Sequence, residues 1–254
     1  MLYDQAWFVS CLVVFVAAAL QSVTGFGFAL IAVPLFLLVY DPRTAITVTM
    51  VVSFTTLLLL TIRVRAAVVR PLVANLFLGS LAGIPFGVYG FLHFDVTLLK
   101  ILICGVTIPF SLALATRLRL YLISGTWTER LIGSVSGFLA GSISLPGPPV
   151  ILFLNCRHLP KERFRATTAA YFTAVYPVGL LLLVSSGAIP LATIRLSLTL
   201  IPFALIGSAA GARLFPFVPQ AHFQRGVPLL VLATAAYTLA AALSETEAAM
   251  GLPF

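Results

Sequence analysis

Apolar residues run along this chain in eight long stretches, at roughly 7–39, 44–62, 71–92, 96–115, 131–154, 166–185, 196–215 and 226–243. A helix needs about 20 apolar residues to cross the hydrocarbon core of a bilayer, and most of the stretches reach that length. The period-two alternation of a barrel strand is missing. The pattern predicts an all-α polytopic integral membrane protein.

Two stretches carry internal breaks. The stretch at 7–39 is too long for one simple span, and its middle reads Gln21-Ser-Val-Thr-Gly-Phe-Gly-Phe28. The stretch at 131–154 is interrupted by Ser144-Leu-Pro-Gly-Pro-Pro149. Proline lacks the amide and clashes with the preceding turn, so this run cannot continue a helix. The breaks fall at equivalent places in two similar halves. Gly25 and Gly147 share their spacing with Arg43 and Arg165 and with the leucine runs at 58–60 and 180–182; Gly79 and Gly83 are echoed by Gly207 and Gly211 after a longer turn. The order of these matches predicts a duplicated four-segment unit. Residues 1–120 form one half and 121–254 the other, within a single membrane domain.

Charge tests the topology. If all eight stretches cross, the bases divide eight to seven between the two sides, which orients nothing. If the proline-broken stretch enters and returns, twelve bases fall on one side and three (Arg43, Lys100 and Arg195) on the other. Cytoplasmic turns are rich in Lys and Arg, so the second arrangement is favoured. By the repeat, the first stretch is expected to be re-entrant too, which makes the second half inverted relative to the first. Broken helices in inverted repeats mark the binding sites of many transporters.

Composition agrees. Hydrophobic residues make up 61% and charged residues 9%, against about 45–50% and 25% in soluble domains. This excludes an ordinary soluble enzyme, a disordered chain and a disulfide scaffold. The net charge of +8 resides in short turns, and no basic face is long enough to track a nucleic acid. The scattered Cys11, Cys104 and Cys156 read as packing residues. Asp4, with no base before the first stretch, argues for a retained membrane segment rather than a signal peptide.

Candidate chemistry gathers at the breaks. A broken helix leaves amides without an intrahelical partner, and its dipole favours an anion there. Thr24, Gly25 and Gly27 at the first break, and Ser144 and Gly147 at the second, are therefore candidate substrate-binding residues. The competing reading is that these residues only permit kinks and close packing. Helices after the breaks open with arginine and continue with hydroxyls. Thr49 and Ser53 share a helix face, as do Thr168 and Tyr171. These four and Arg165 join the candidates; hydroxyls of this kind also stitch membrane helices together, and an arginine at a helix end also anchors to headgroups. Gly79, Gly83 and Gly87, and Gly133, Gly137 and Gly141, are close-packing rows. The seven acids and the three histidines fall in turns or tails, so no metal, cofactor, catalytic set or mid-membrane proton relay is expected.

At these residues the chain resembles the TauE/SafE sulfite-exporter family of permeases. The resemblance rests on Gly25-Phe-Gly-Phe-Ala-Leu-Ile-Ala-Val-Pro34, on Gly137-Phe-Leu-Ala-Gly141, on Gly147-Pro-Pro-Val-Ile-Leu-Phe-Leu154, and on Leu159-Pro-Lys-Glu-Arg-Phe-Arg165 with Tyr171-Phe172 following. Phe26 and Phe28 stand where that family commonly has small residues. The resemblance implies a multi-pass inner-membrane exporter of a small anion such as sulfite or an organosulfonate. A carboxylate or other oxyanion is the alternative substrate, and an integral-membrane enzyme or assembly factor the alternative class. Partners are the anionic substrate and the lipid bilayer; a homodimer is left open.

Overall fold

The computed structural model describes residues 5–116, 125–157 and 159–215. The stretch at 226–243, with His158, Arg117 and Arg119, lies outside the described residues. The described chain is helical: α1 (Gln5–Thr24), α2 (Phe28–Phe36), α3 (Pro42–Val64), α4 (Arg70–His93), α5 (Val96–Ala115), α6 (Thr126–Ile143), α7 (Gly147–Cys156), α8 (Lys161–Ser185) and α9 (Leu191–Leu214), with one 3₁₀ turn (Arg65–Ala67). No strand occurs among the described residues. Six of these helices (α1, α3 with its 3₁₀ extension, α4, α5, α8 and α9) are long and apolar enough to cross a membrane. Their outward faces carry bare apolar side chains such as Leu12, Phe86, Ile101 and Leu181, the surface that lipid covers.

Local chemistry sets the helix ends. Asp41 caps α3, its carboxylate accepting from the amides of Arg43 at 3.0 Å and Thr44 at 3.1 Å, and Pro42 occupies the first turn, where no amide partner is needed. The expected break at Ser144–Pro149 is confined to Ser144, Leu145 and Pro146, because Pro148 and Pro149 sit in the first turn of α7, the one place a helix tolerates them. Helix α8 begins at Lys161, earlier than the hydropathy suggests, so Arg165 lies inside a helix rather than in a turn. Glu129 also departs from its expected place in a turn. It lies in the first turn of α6 and is 8% exposed.

Both broken elements fold back on themselves. Glu129 near the start of α6 pairs with Arg157 just past the end of α7, at 2.5 Å. Laid end to end, α6 and α7 would hold these residues roughly 40 Å apart at 1.5 Å per residue. Ser10 near the start of α1 likewise meets Tyr40, beyond the end of α2, at 2.9 Å between hydroxyls. Each element is thus a hairpin with its break at the tip.

The glycine rows do the work expected of them. Any Cβ added at Gly79, Gly83 or Gly87 would collide with the α6 backbone at Arg130, Ser134 or Phe138. Gly133, Gly137 and Gly141 are equally tight against Leu76, Ser80 and Ile84 of α4. On the other side of the molecule, Gly207 and Gly211 of α9 lie against Phe15 and Ala19 of α1. Both pairs run parallel, and each joins a helix of one half to a helix of the other. Helices α3 and α8 cross antiparallel, with Thr61 bonded to Thr173 at 2.9 Å and Gly179 against Met50.

Candidate functional site

The tips of the two hairpins meet. A cavity of about 20 Å³ is lined by Gln21 and by Phe26 to Leu30 from the first break, by Leu145, Pro146 and Gly147 from the second, and by Phe172 and Tyr176 of α8. Its volume is enough for about one water. Helices α2 and α7 both start here, so two positive dipole ends converge on one space. No side chain caps either helix. The first turn of α2 offers amides with no intrahelical partner. In α7 two of those donors are lost to Pro148 and Pro149.

The first break turns on glycine. Gly25 (φ 83°) and Gly27 (φ 97°) both take the left-handed conformation that side chains resist. Thr24 closes the turn by bonding both the amide (2.8 Å) and the carbonyl of Phe26. A Cβ at Gly25 would run into Thr168 Oγ1 and the backbone of Arg165. Thr168 itself donates back to Phe164 O at 2.9 Å and Arg165 O at 3.0 Å. This side of the break is packed shut.

The second break turns on Ser144, the one described non-glycine residue with positive φ, at 58°. Its hydroxyl is fully buried and makes no hydrogen bond, while its carbonyl accepts from Tyr176 Oη at 3.2 Å. A non-glycine residue held in this region costs of order 1–3 kcal/mol, and such strain clusters at functional sites. Ser136 Oγ fastens the same break by donating to Pro146 O at 2.6 Å.

Gln21 bridges the first break to α3. Its Nε2 donates to Ser53 Oγ at 2.7 Å and its Oε1 accepts from Thr56 at 2.5 Å. A carboxamide has two N–H groups, so one donor remains beside the cavity. Ser53 also lies against Tyr176, and the hydroxyl and amide groups thereby form one chain from Gln21 to Ser144.

Of the residues singled out in the sequence, Gly27 and Gly147 line the cavity, and Ser53 and Ser144 touch its lining through Gln21 and Tyr176. Thr24, Gly25 and Thr168 pack against one another behind the first break. Thr49 is buried on α3 with its hydroxyl unbonded. Tyr171 is fully buried near Ser80 and Ser136. Arg165 is buried but lies behind the first break, not on the cavity wall. Lining residues that were not singled out include Gln21, Phe172 and Tyr176. Gln21 had a legible signal, as a carboxamide at the break of a long apolar stretch. Phe172 and Tyr176 had none, since α8 reaches the cavity only by crossing α3. Glu129 was also missed. It accepts from Asn75 Nδ2 at 2.7 Å and pairs with Arg157, tying α4, α6 and α7 together. No group of acids, histidines and cysteines among the described residues has the arrangement of a metal site.

No curated protein and no solved structure matches the chain. A family model described as sulfite exporter TauE/SafE matches residues 10–238. That match spans both breaks and every glycine row, so this multi-pass membrane protein belongs to the TauE/SafE family, whose members are exporters of sulfite and related anions rather than enzymes.

Proposed function

We propose that the protein carries a small oxyanion, sulfite or an organosulfonate, out across the inner membrane, and binds it between the two hairpin tips. The observation that carries this reading is the convergence of two uncapped helix N-termini, those of α2 and α7, on one cavity beside the Gln21 carboxamide. Unpaired amides and a positive dipole suit an anion. No carboxylate is among the lining residues, so nothing there repels one.

The cavity has room for about one water, so this reading takes the conformation as a closed state. Binding then requires the tips to part. The two halves are read as an inverted repeat, with hairpins entering from opposite sides and α3 and α8 antiparallel between them. The α4–α6 and α1–α9 pairs, locked by backbone contact, move as units, and rocking of one hairpin against the other opens the cavity to alternate sides. The twelve-to-three division of bases puts the end bearing Arg63, Arg130 and Arg157 in the cytoplasm.

Ligand-dependent melting of the purified protein tests the site. A ligand bound only by the folded state adds RT ln(1 + [L]/Kd), about 2.7 kcal/mol at one hundred times Kd. Stabilisation by sulfite or taurine above acetate is expected. Equal stabilisation by acetate reassigns the substrate to a carboxylate, and Gly147→Leu, which fills the cavity, should abolish the effect of whichever anion binds. Single cysteines at 125 and 161 in a cysteine-free background should label from the same side. Labelling from opposite sides rejects the re-entrant arrangement of α6 and α7.

A further inference from the structure

Arg43 lies in the first turn of α3 and Arg165 in the second turn of α8, and the fold treats them differently. Arg43 is exposed, and its Nη2 donates to the carbonyls of Leu92 at 3.2 Å and Phe94 at 3.3 Å, at the C-terminal end of α4. Arg165 is 8% exposed. Its Nε makes no hydrogen bond, and no carboxylate among the described residues pairs with it. Among the described residues, the acids on the same side have other partners, Glu129 in Arg157 and Glu162 in Lys161. The Arg165 guanidinium lies 4.0 Å from the Phe215 ring centre, and Lys161 Nζ shares that ring at 5.3 Å. Arg63, near the end of α3, is close enough to repel it. A buried cation is costly unless paired, and here like charges surround it. Among the described residues the set lacks a counter-anion.

Its position is the second observation. The Arg165 backbone seats Gly25. Its neighbour Phe164 holds Phe26 edge-on at 6.1 Å between ring centres, and Phe26 is a wall of the cavity. The Arg165 backbone is therefore one aromatic layer away from the space between the breaks, and its guanidinium extends from there to Phe215 at the basic end of the molecule.

We propose that Arg165, with Arg63, forms a second oxyanion site that loads the substrate from the basic side before it passes Phe26 into the cavity. The inference rests on the exporter reading but concerns a separate place. A guanidinium presents a planar fork of N–H donors that matches two oxygens of one oxyanion. An anion held there satisfies Arg165 and screens it from Arg63. Phe26 stands between the two left-handed glycines, where the backbone bends most freely, and its displacement opens the way inward.

The test is sulfite export from proteoliposomes of known orientation. Arg165→Gln is expected to raise KM for sulfite on the basic side about tenfold, the loss of a charge-assisted bond, with kcat changed less than about twofold. Arg63→Gln, at an exposed position, should raise KM about threefold. Arg165→Lys should recover part of the loss, and Arg163→Gln should behave as the unmutated protein. Sulfite should still stabilise purified Arg165→Gln through the cavity. An unchanged KM in Arg165→Gln overturns the proposal, as does a fall in kcat alone, which marks a structural role. Loss of all sulfite stabilisation in Arg165→Gln, matching Gly147→Leu, means a single shared site; it overturns the loading site and leaves the exporter reading intact. If Arg165→Gln fails to insert, the KM of Arg63→Gln decides. An unmutated protein that neither binds nor moves sulfite or taurine overturns both readings.

Discussion

The two breaks occupy matching places in the chain and reach one cavity, yet they are built on different principles. The first uses glycine because a side chain has nowhere to go: Gly25 is left-handed and pressed against the backbone of α8. In the second, a Cβ on Gly147 would meet only the tip of Ile151 at 3.0 Å and the Phe172 ring at 3.9 Å. There the glycine borders space rather than contact. The donors differ as well. The first turn of α2 keeps its amides, whereas α7 gives up two to Pro148 and Pro149. The first break is thus both seat and donor, and the second supplies dipole and room. Matching positions along the chain need not share a task.

The largest effect expected from breaking this comparison is at Gly25. Gly25→Ala adds left-handed strain and a backbone collision, a cost of roughly 2–5 kcal/mol, and should lower the melting temperature and the inserted fraction together. Next is Gly147. Gly147→Ala should leave melting within about 1 kcal/mol of the unmutated protein, since only a flexible side chain must shift, while Gly147→Leu inserts normally and loses transport. A melting loss at Gly147→Ala as large as at Gly25→Ala would erase the distinction between seat and space. Gln21→Leu comes third. It removes two hydrogen bonds, worth about 1 kcal/mol each, and a donor at the cavity, so transport should fall about tenfold with modest loss of stability. The smallest effect is at Ser144. Ser144→Gly relieves the left-handed strain, by roughly 1 kcal/mol, and should raise the melting temperature slightly while transport falls. A rise in both would show that the strained serine has no part in transport.

Much of this was legible because membranes restrict the choices. Apolar length marks spans, proline and glycine mark breaks, and small residues at four-residue spacing mark contact between helices. The Gly79 and Gly133 rows therefore announced a packed interface, though not that they face each other. The breaks at Gly25 and Ser144 were readable for the same reason. Helix α6 was harder, because Glu129 and Arg130 dilute its apolar character.

The candidate site was less legible, and Arg165 shows why. In the sequence it stands beside the second break and matches Arg43. In the fold its backbone seats the first break, and its guanidinium is unpaired where that of Arg43 is satisfied. Thr24 and Thr168 carry the hydroxyls of a polar path, and they turn inward to bond their own backbones, as hydroxyls do where water is scarce. Tyr176 gave no sign at all.

By itself the sequence determined the solvent, the helical class and the two places where helices stop, since these follow from local composition and backbone sterics. Which break meets which helix, which hydroxyls remain unbonded and which arginine is left without an anion were decided only by tertiary structure. Those outcomes depend on two hairpins folding back and on the crossing of α3 with α8, contacts between residues far apart in the chain that no local pattern encodes.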